Sequence, residues 1–205
     1  MAIDTIGPQP RDLEPQSDEP AVVRAVLNGD RDAYRLLVER ESAAVIRACH
    51  RILGDLGAAE DIAQDAFVIA YRSLAKWRAD GPFGAWLARI AVRLAIREAG
   101  RRRSIAWVQP MRGVDGEVDD VLARLSAGPA ANPEANALRG ERHEMVRRAV
   151  AALDEPYREV VALRFFAERS LDEIAAVTGR PLGTVKTHLH RGLLRLRGVL
   201  GEGAR

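Results

Sequence analysis

The sequence predicts an all-α protein built as two small helical domains joined by a flexible linker. Apolar residues recur at helical spacing along most of the chain, and alternating β-branched runs are absent. Helix-start and helix-stop residues stand at the ends of the periodic segments. One central stretch, 104–139, breaks the pattern: it holds three prolines, five acids and three arginines, with little periodicity. Such composition makes a linker, and 47% hydrophobic residues over 205 positions suffice for a core on either side of it.

Residues 1–20 carry four prolines and several acids and read as a disordered tail. Helices are expected at 21–28, 30–53, 58–77 and 83–101, and again at 138–153, 156–167, 171–178 and 182–199. Within 30–53, Cys49 lies on an apolar side with Val45, Ile46 and Ile52, as a buried free thiol does. In 58–77, Ile62, Ala66, Ile69, Ala70, Leu74 and Trp77 are the expected packed side. Leu87, Ile90 and Leu94 play that part in 83–101, and Val160, Leu163 and Phe166 in 156–167, where Asp154 is the expected cap and Pro156 sits in the first turn. Inside the linker, "VDDVLARL" is a candidate short helix.

Composition excludes several classes. The 31 basic and 29 acidic residues leave a net charge of +2, so any polyanion-binding surface must be local. A single cysteine rules out a disulfide framework. No apolar run approaches the ~18 residues of a membrane span, and the N-terminus lacks the basic and apolar regions of a secretory signal. The expectation is a soluble cytoplasmic chain with no membrane insertion. No P-loop, no nucleophile with a paired base and no metal cluster stands out, so no catalytic residue, metal, cofactor or small-molecule substrate is expected. His188 and His190 are two apart, about 200° around a helix, and cannot share an ion.

The C-terminal half is the most informative. In "SLDEIAAVTGRPLGTVKTHLHRGLLRLRGVL", Ser170 and Glu173 form a capping box and Gly179 ends the short helix they start. Pro181 suits the first turn of the next helix, whose stripe is Leu182, Val185, Leu189, Leu193 and Leu196. Two helices across a tight glycine turn make a helix-turn-helix. Thr184, Lys186, Thr187, His188, His190 and Arg191 lie off the stripe, the hydroxyls and cations a major-groove reader needs. From Arg180 to Arg205 six basic residues face one acid, a plausible phosphate footprint. Arg164 is either a surface charge or a DNA contact beside this helix.

The N-terminal half poses a question. Arg89, Arg93, Arg97 and Arg101 are each four apart, with Arg102 and Arg103 following. Like charges at this spacing cost roughly 0.2–0.5 kcal/mol per pair. The stripe is a solvated face or it awaits a polyanion. Just before it, "RADGPFGAW" is a turn holding Phe83 and Trp86, with Trp77 upstream; such aromatics are core residues or stack on unpaired bases. Earlier still, Glu60, Asp61, Gln64 and Asp65 form an acidic patch that either answers the helix dipole or docks a basic partner.

Taken together, "AEDIAQDAFVIAYRSLAKWR", "FGAWLARIAVRLAIREAGRRR" and "EPYREVVALRFFAERSLDEIAAVTGRPLGTVKTHLHRGLLRLR" resemble bacterial sigma factors of the extracytoplasmic-function type, which keep only sigma regions 2 and 4. The resemblance implies region 2 over 21–103, the linker over 104–139 and region 4 over 140–200. It implies a factor that binds core RNA polymerase and directs promoter recognition, DNA melting and transcription initiation at a specific set of promoters. Asp61, Gln64 and Asp65 match the motif that docks on the β′ clamp coiled coil, and region 4 implies a contact with the β flap. Trp77, Arg78, Asp80 and Phe83 fall in the loop that captures a flipped base of the −10 element, and Ile90, Arg93 and Arg97 where the next helix touches the melted strand. Arg164, Gly183, Thr184, Lys186, Thr187, His190 and Arg191 match positions that meet the −35 element. An anti-sigma factor is implied as a regulator.

The chain departs from the family in three places. Arg93 replaces a frequent asparagine, Arg97 a frequent aspartate or asparagine, and Asp154 a common proline. The two arginines make the stripe continuous, which implies more reliance on phosphate charge. The acidic linker residues 115–120 are expected to mimic nucleic acid in the polymerase channel. A stand-alone helix-turn-helix regulator with a dimerising N-terminal module is the rival reading; it gives no role to the acidic patch or the arginine stripe. An enzyme on a helical scaffold has no residue constellation behind it.

Overall fold

The computed structural model describes residues 19–105 and 133–202. Among them there are helices and no strands, and no described helix is long and apolar enough to cross a membrane.

The first domain holds α1 (Glu19–Leu27), α2 (Arg31–Leu53), α3 (Leu56–Arg72), a 3-10 turn (Leu74–Lys76) and α4 (Phe83–Ile105). Local chemistry sets the ends. The Asp30 carboxylate accepts the N–H groups of Asp32 and Ala33 at 2.9 and 3.1 Å, starting α2. Gly54, at φ 74°, stops it in the left-handed conformation. Asp55 at once caps α3 through the Ala58 N–H at 2.7 Å. This cap starts α3 two residues before the expected 58.

Small side chains let these helices approach closely. Ala59, Ala63, Ala66, Phe67 and Ala70 face inward on α3. Ile69, expected inside, is 39% exposed instead. The inward face is the alanine face, with Phe67 as its one large residue. On α4, Leu87, Ala88, Ala91, Val92 and Ala95 are buried, and Ile90 and Leu94 only half so. That helix is covered on two sides, by α2 and α3 and by the second domain. Cys49 is fully buried with Val45 and Ile52. Burial pushes its thiol up to about 12.

The second domain holds α5 (Pro133–Ala152), α6 (Tyr157–Phe165), α7 (Leu171–Thr178) and α8 (Leu182–Glu202). The segment expected as linker is thus helical at both ends, to Ile105 and from Pro133, while "VDDVLARL" lies outside the described residues, as does the tail up to 18. Asp154 does not cap α6; Pro156 stands at that position without a side-chain bond. The Asp154 carboxylate instead accepts from Arg195 of α8 at 3.1 Å. The same guanidinium lies 4.3 Å from the Tyr157 ring centroid, so one arginine ties the start of α6 to α8. Val160, Leu163 and Phe166 are inward, as their spacing predicts.

Buried residues of both domains form one continuous core. Arg51 of α2 bridges them, donating to the Phe166 carbonyl at 3.1 Å and pairing with Glu168 at 2.6 Å.

Candidate nucleic-acid and polymerase interfaces

The helix-turn-helix is assembled by the residues that predict it. Ser170 Oγ accepts the Glu173 N–H at 3.1 Å, and the Glu173 carboxylate accepts the Ser170 N–H at 2.7 Å. This reciprocal pair fixes where α7 begins. Gly179, at φ 67°, turns the chain into α8. Ile174 of α7 and Val185 and Leu196 of α8 are fully buried in the core. Gly192 lies where α8 crosses α6: a Cβ there would come within 2.8 Å of Val161.

With Val185 and Leu196 inward, the opposite face of α8 is open. Gly183, Lys186, Thr187, His190 and Arg191 are exposed, and Thr184 is half-buried. The Thr187 hydroxyl donates back to the Gly183 carbonyl at 2.9 Å. His188 turns inward, edge-on to Tyr157 at 5.7 Å. Desolvation, with Arg180 and Arg191 nearby, lowers its pKa. Arg164, on α6, is half-buried and donates to the Arg169 carbonyl at 3.1 Å.

On the first domain, Glu60, Asp61, Gln64 and Asp65 are all exposed on α3. Because α3 begins at Leu56, none of the acids falls in its first turn. The dipole effect fades within that turn, so it gains little from them. Beside the patch a cavity of about 730 Å³ opens between α2 and α3, lined by Tyr34, Val38, Ile46, Phe67, Val68 and Tyr71 among others. Gln64 and Glu60 are on its wall.

The loop between the 3-10 turn and α4 is anchored by aromatics. Phe83 is fully buried, edge-on to Trp77 at 6.2 Å and 5.8 Å from Trp86. Its N–H donates to Glu19 Oε2 at 2.8 Å. Glu19, which the sequence places in the tail, is itself buried and pairs with Arg40 at 2.5 Å. Trp77 is half-buried, while Arg78 and Asp80 are exposed and pair with each other at 3.1 Å.

The arginine stripe is resolved by two carboxylates. Glu98, half-buried between Arg101 and Arg102, accepts from both, at 2.8 and 2.9 Å, which lowers its pKa to about 2. Glu159, on α6 of the other domain, is only 2% exposed. It takes Arg89 at 2.8 Å, Arg93 at 2.9 Å and Arg180 at 2.9 Å. Arg89 also donates to the Val177 carbonyl of α7. Burial opposes ionisation of Glu159, but the guanidiniums of Arg89 and Arg180 outweigh it and hold its pKa below the ordinary carboxylate value. Arg97 stays exposed, and Ile90 is half-buried.

Residues 37–105 match the family Sigma-70 region 2, and residues 143–196 match Sigma-70, region 4. Over 181 residues the chain is 31% identical to the ECF RNA polymerase sigma factor SigW of Bacillus subtilis, covering 88% of this chain and 95% of that relative. The chain is an extracytoplasmic-function sigma factor. As a sigma factor it directs promoter-specific initiation of transcription. It is also similar to the ECF RNA polymerase sigma-E factor of Escherichia coli strain K12, at 33% identity over 87% of this chain and 92% of that one. With the RNA polymerase sigma-H factor of Pseudomonas aeruginosa it shares 32% over 86% and 90%. Among solved structures, that of CnrH in complex with the cytosolic domain of CnrY has the same fold, with a TM-score of 0.57 at 24% identity over 89% of this sigma factor and 96% of that chain.

Proposed function

We propose that this sigma factor divides promoter recognition between two faces and docks on polymerase through a third. The open polar face of α8 reads the −35 duplex in the major groove, with Gly183 allowing close approach and Lys186, Thr187, His190 and Arg191 contacting bases and phosphates. Thr184 and Arg164 flank it. The face carries the proposal: five exposed positions lie opposite a buried apolar seam on a helix-turn-helix.

Asp61, Gln64 and Asp65 on α3 dock the β′ clamp coiled coil, a basic helical partner that an acidic exposed face suits. Trp77, Arg78 and Asp80 in the loop, with Ile90, Arg93 and Arg97 on α4, meet the melted −10 strand. Phe83 serves them from the core, as the buried anchor of the loop. The factor spends binding energy on trapping an unstacked base, against an unpairing cost of order a few kcal/mol; it does so as a binding protein without a catalytic centre of its own. It works in the cytoplasm beside core polymerase, which it also meets at the β flap, and an anti-sigma factor covering these faces is its regulator.

Two double variants assayed side by side test the division. Lys186→Ala with Arg191→Ala abolishes protection of the upstream element while leaving core binding intact. Asp61→Lys with Asp65→Lys abolishes core binding while leaving duplex binding by the free chain intact. Equal loss in both assays for both variants would refute the assignment.

A further inference from the structure

We propose that Glu159 is an interdomain latch that closes region 2's promoter helix against region 4, so that in the free factor it competes with the −10 strand for Arg93 while the −35 face stays open. The proposal rests on the assignment of Arg93 to the −10 strand.

The geometry is selective. Arg89 and Arg93 come from α4 and cross to Glu159, whereas Arg180 belongs to Glu159's own domain. When the domains part, Arg180 remains on the carboxylate, so opening leaves no lone buried charge, the circumstance that makes breaking a buried pair costly. Closing trades hydration of Glu159 for two more guanidiniums, one of which also takes the Val177 carbonyl. A second, independent contact covers the loop. A Cβ on Gly81 would lie 3.0 Å from Cβ of Ala176 on α7, so the loop between Trp77 and Phe83 abuts the first helix of the helix-turn-helix. Part of each −10 feature of region 2, Arg93 on α4 and the loop at Gly81, therefore abuts region 4, while Arg78, Asp80 and Arg97 stay exposed. The reading face of α8 does not: Lys186, Thr187, His190 and Arg191 stay exposed in the same structure. Arg93 gives its Nε and part of its charge to Glu159 in the closed chain, so Glu159 and a strand phosphate compete for this arginine.

A latch shows as a population effect: apparent affinity falls by the fraction of chains that are open. Were about a tenth open, Glu159→Gln would tighten binding about tenfold. The test uses the free full-length chain, with a single-stranded oligonucleotide carrying the non-template −10 sequence of a promoter it transcribes. A duplex carrying the −35 sequence is the second probe. Glu159→Gln is expected to tighten the first and leave the second unchanged. Equal strand affinity for the two proteins overturns the latch.

A cross-link tests it without touching the carboxylate. Disulfides need Cβ atoms about 3.5–4.5 Å apart, within a small loop adjustment of the Gly81–Ala176 contact. Gly81→Cys with Ala176→Cys should form a disulfide on oxidation, since Cys49 is buried. The oxidised form should lose −10-strand binding and keep −35 duplex binding, and reduction should restore the first. Failure to cross-link, or strand binding equal in both redox states, overturns the proposal. Arg93→Ala measured in holoenzyme separates the two claims: no loss of strand affinity there sinks the −10 assignment, whereas a loss there with Glu159→Gln inert sinks the latch alone.

Discussion

Replacing Arg93 and Arg97 together by alanine should flatten the salt dependence of promoter binding by holoenzyme. The two lie four apart on α4, the Arg93 side chain 62% exposed and Arg97 exposed as well. Each phosphate neutralised on a single strand contributes about 0.7 to the slope of log affinity against log salt, so losing two contacts removes about 1.4. Between about 50 and 200 mM salt that amounts to about a sevenfold smaller loss of affinity for the variant than for the wild type. Filter binding or anisotropy on a pre-melted promoter fork measures it. Holoenzyme is the right sample, because in the closed free chain Arg93 is already engaged by Glu159. Arg93→Lys with Arg97→Lys keeps the charge and should keep the slope. Arg47→Ala, on the exposed side of α2, controls for net charge and should also leave it alone. A slope unchanged in the alanine pair, or changed as much by Arg47→Ala, would refute the phosphate role.

Ser170→Ala removes one half of the capping box and should cost about 1 kcal/mol of region 4 stability, read as a lower thermal midpoint with weaker −35 binding and unaltered core binding. Cys49 should resist alkylation at pH 8 in the native protein, since burial holds its thiol at about 12, and react once denaturant is added; rapid native labelling would contradict its packing. The pKa of Glu159 is depressed on folding. Its stabilising effect over Glu159→Gln should be full above the ordinary carboxylate range and vanish as pH falls through the depressed folded value. Urea midpoints of the two proteins across acid pH check this, and a gap that widens on acidification would overturn it.

What could be seen in the sequence follows the range of the interactions involved. The capping box at Ser170, the turn at Gly179 and the seam of α8 are decided by residues three or four apart, and the structure has all three. The inward face of α3 was harder, because four of its five buried residues named above are alanines, which mark no side by hydrophobic bulk, and Ile69 on the outer side outweighs them. Asp154 looked like a cap in its local context; a distant arginine on α8 claims it instead. Nothing local marks Glu19 or Glu159, since each is defined by arginines and backbone groups far along the chain: Arg40 and Phe83 for one, Arg89 and Arg93 for the other. In "EPYREVVALRFF" Glu159 follows Arg158 and precedes an apolar run, a local pattern that an exposed acid shares. The arginine stripe was legible as a demand for negative charge; that the chain supplies part of it from its own second domain required the fold.

Promoter-directed initiation here depends on two domains reading two elements. Run-off transcription from a genomic promoter library, with purified core polymerase and with or without this chain, tests that most directly. The prediction is a set of new start sites sharing an upstream −35 element and a −10 element, with the upstream element lost in the Lys186→Ala, Arg191→Ala variant. The contradiction would be an unchanged set of transcripts while the chain alone still bound particular duplexes.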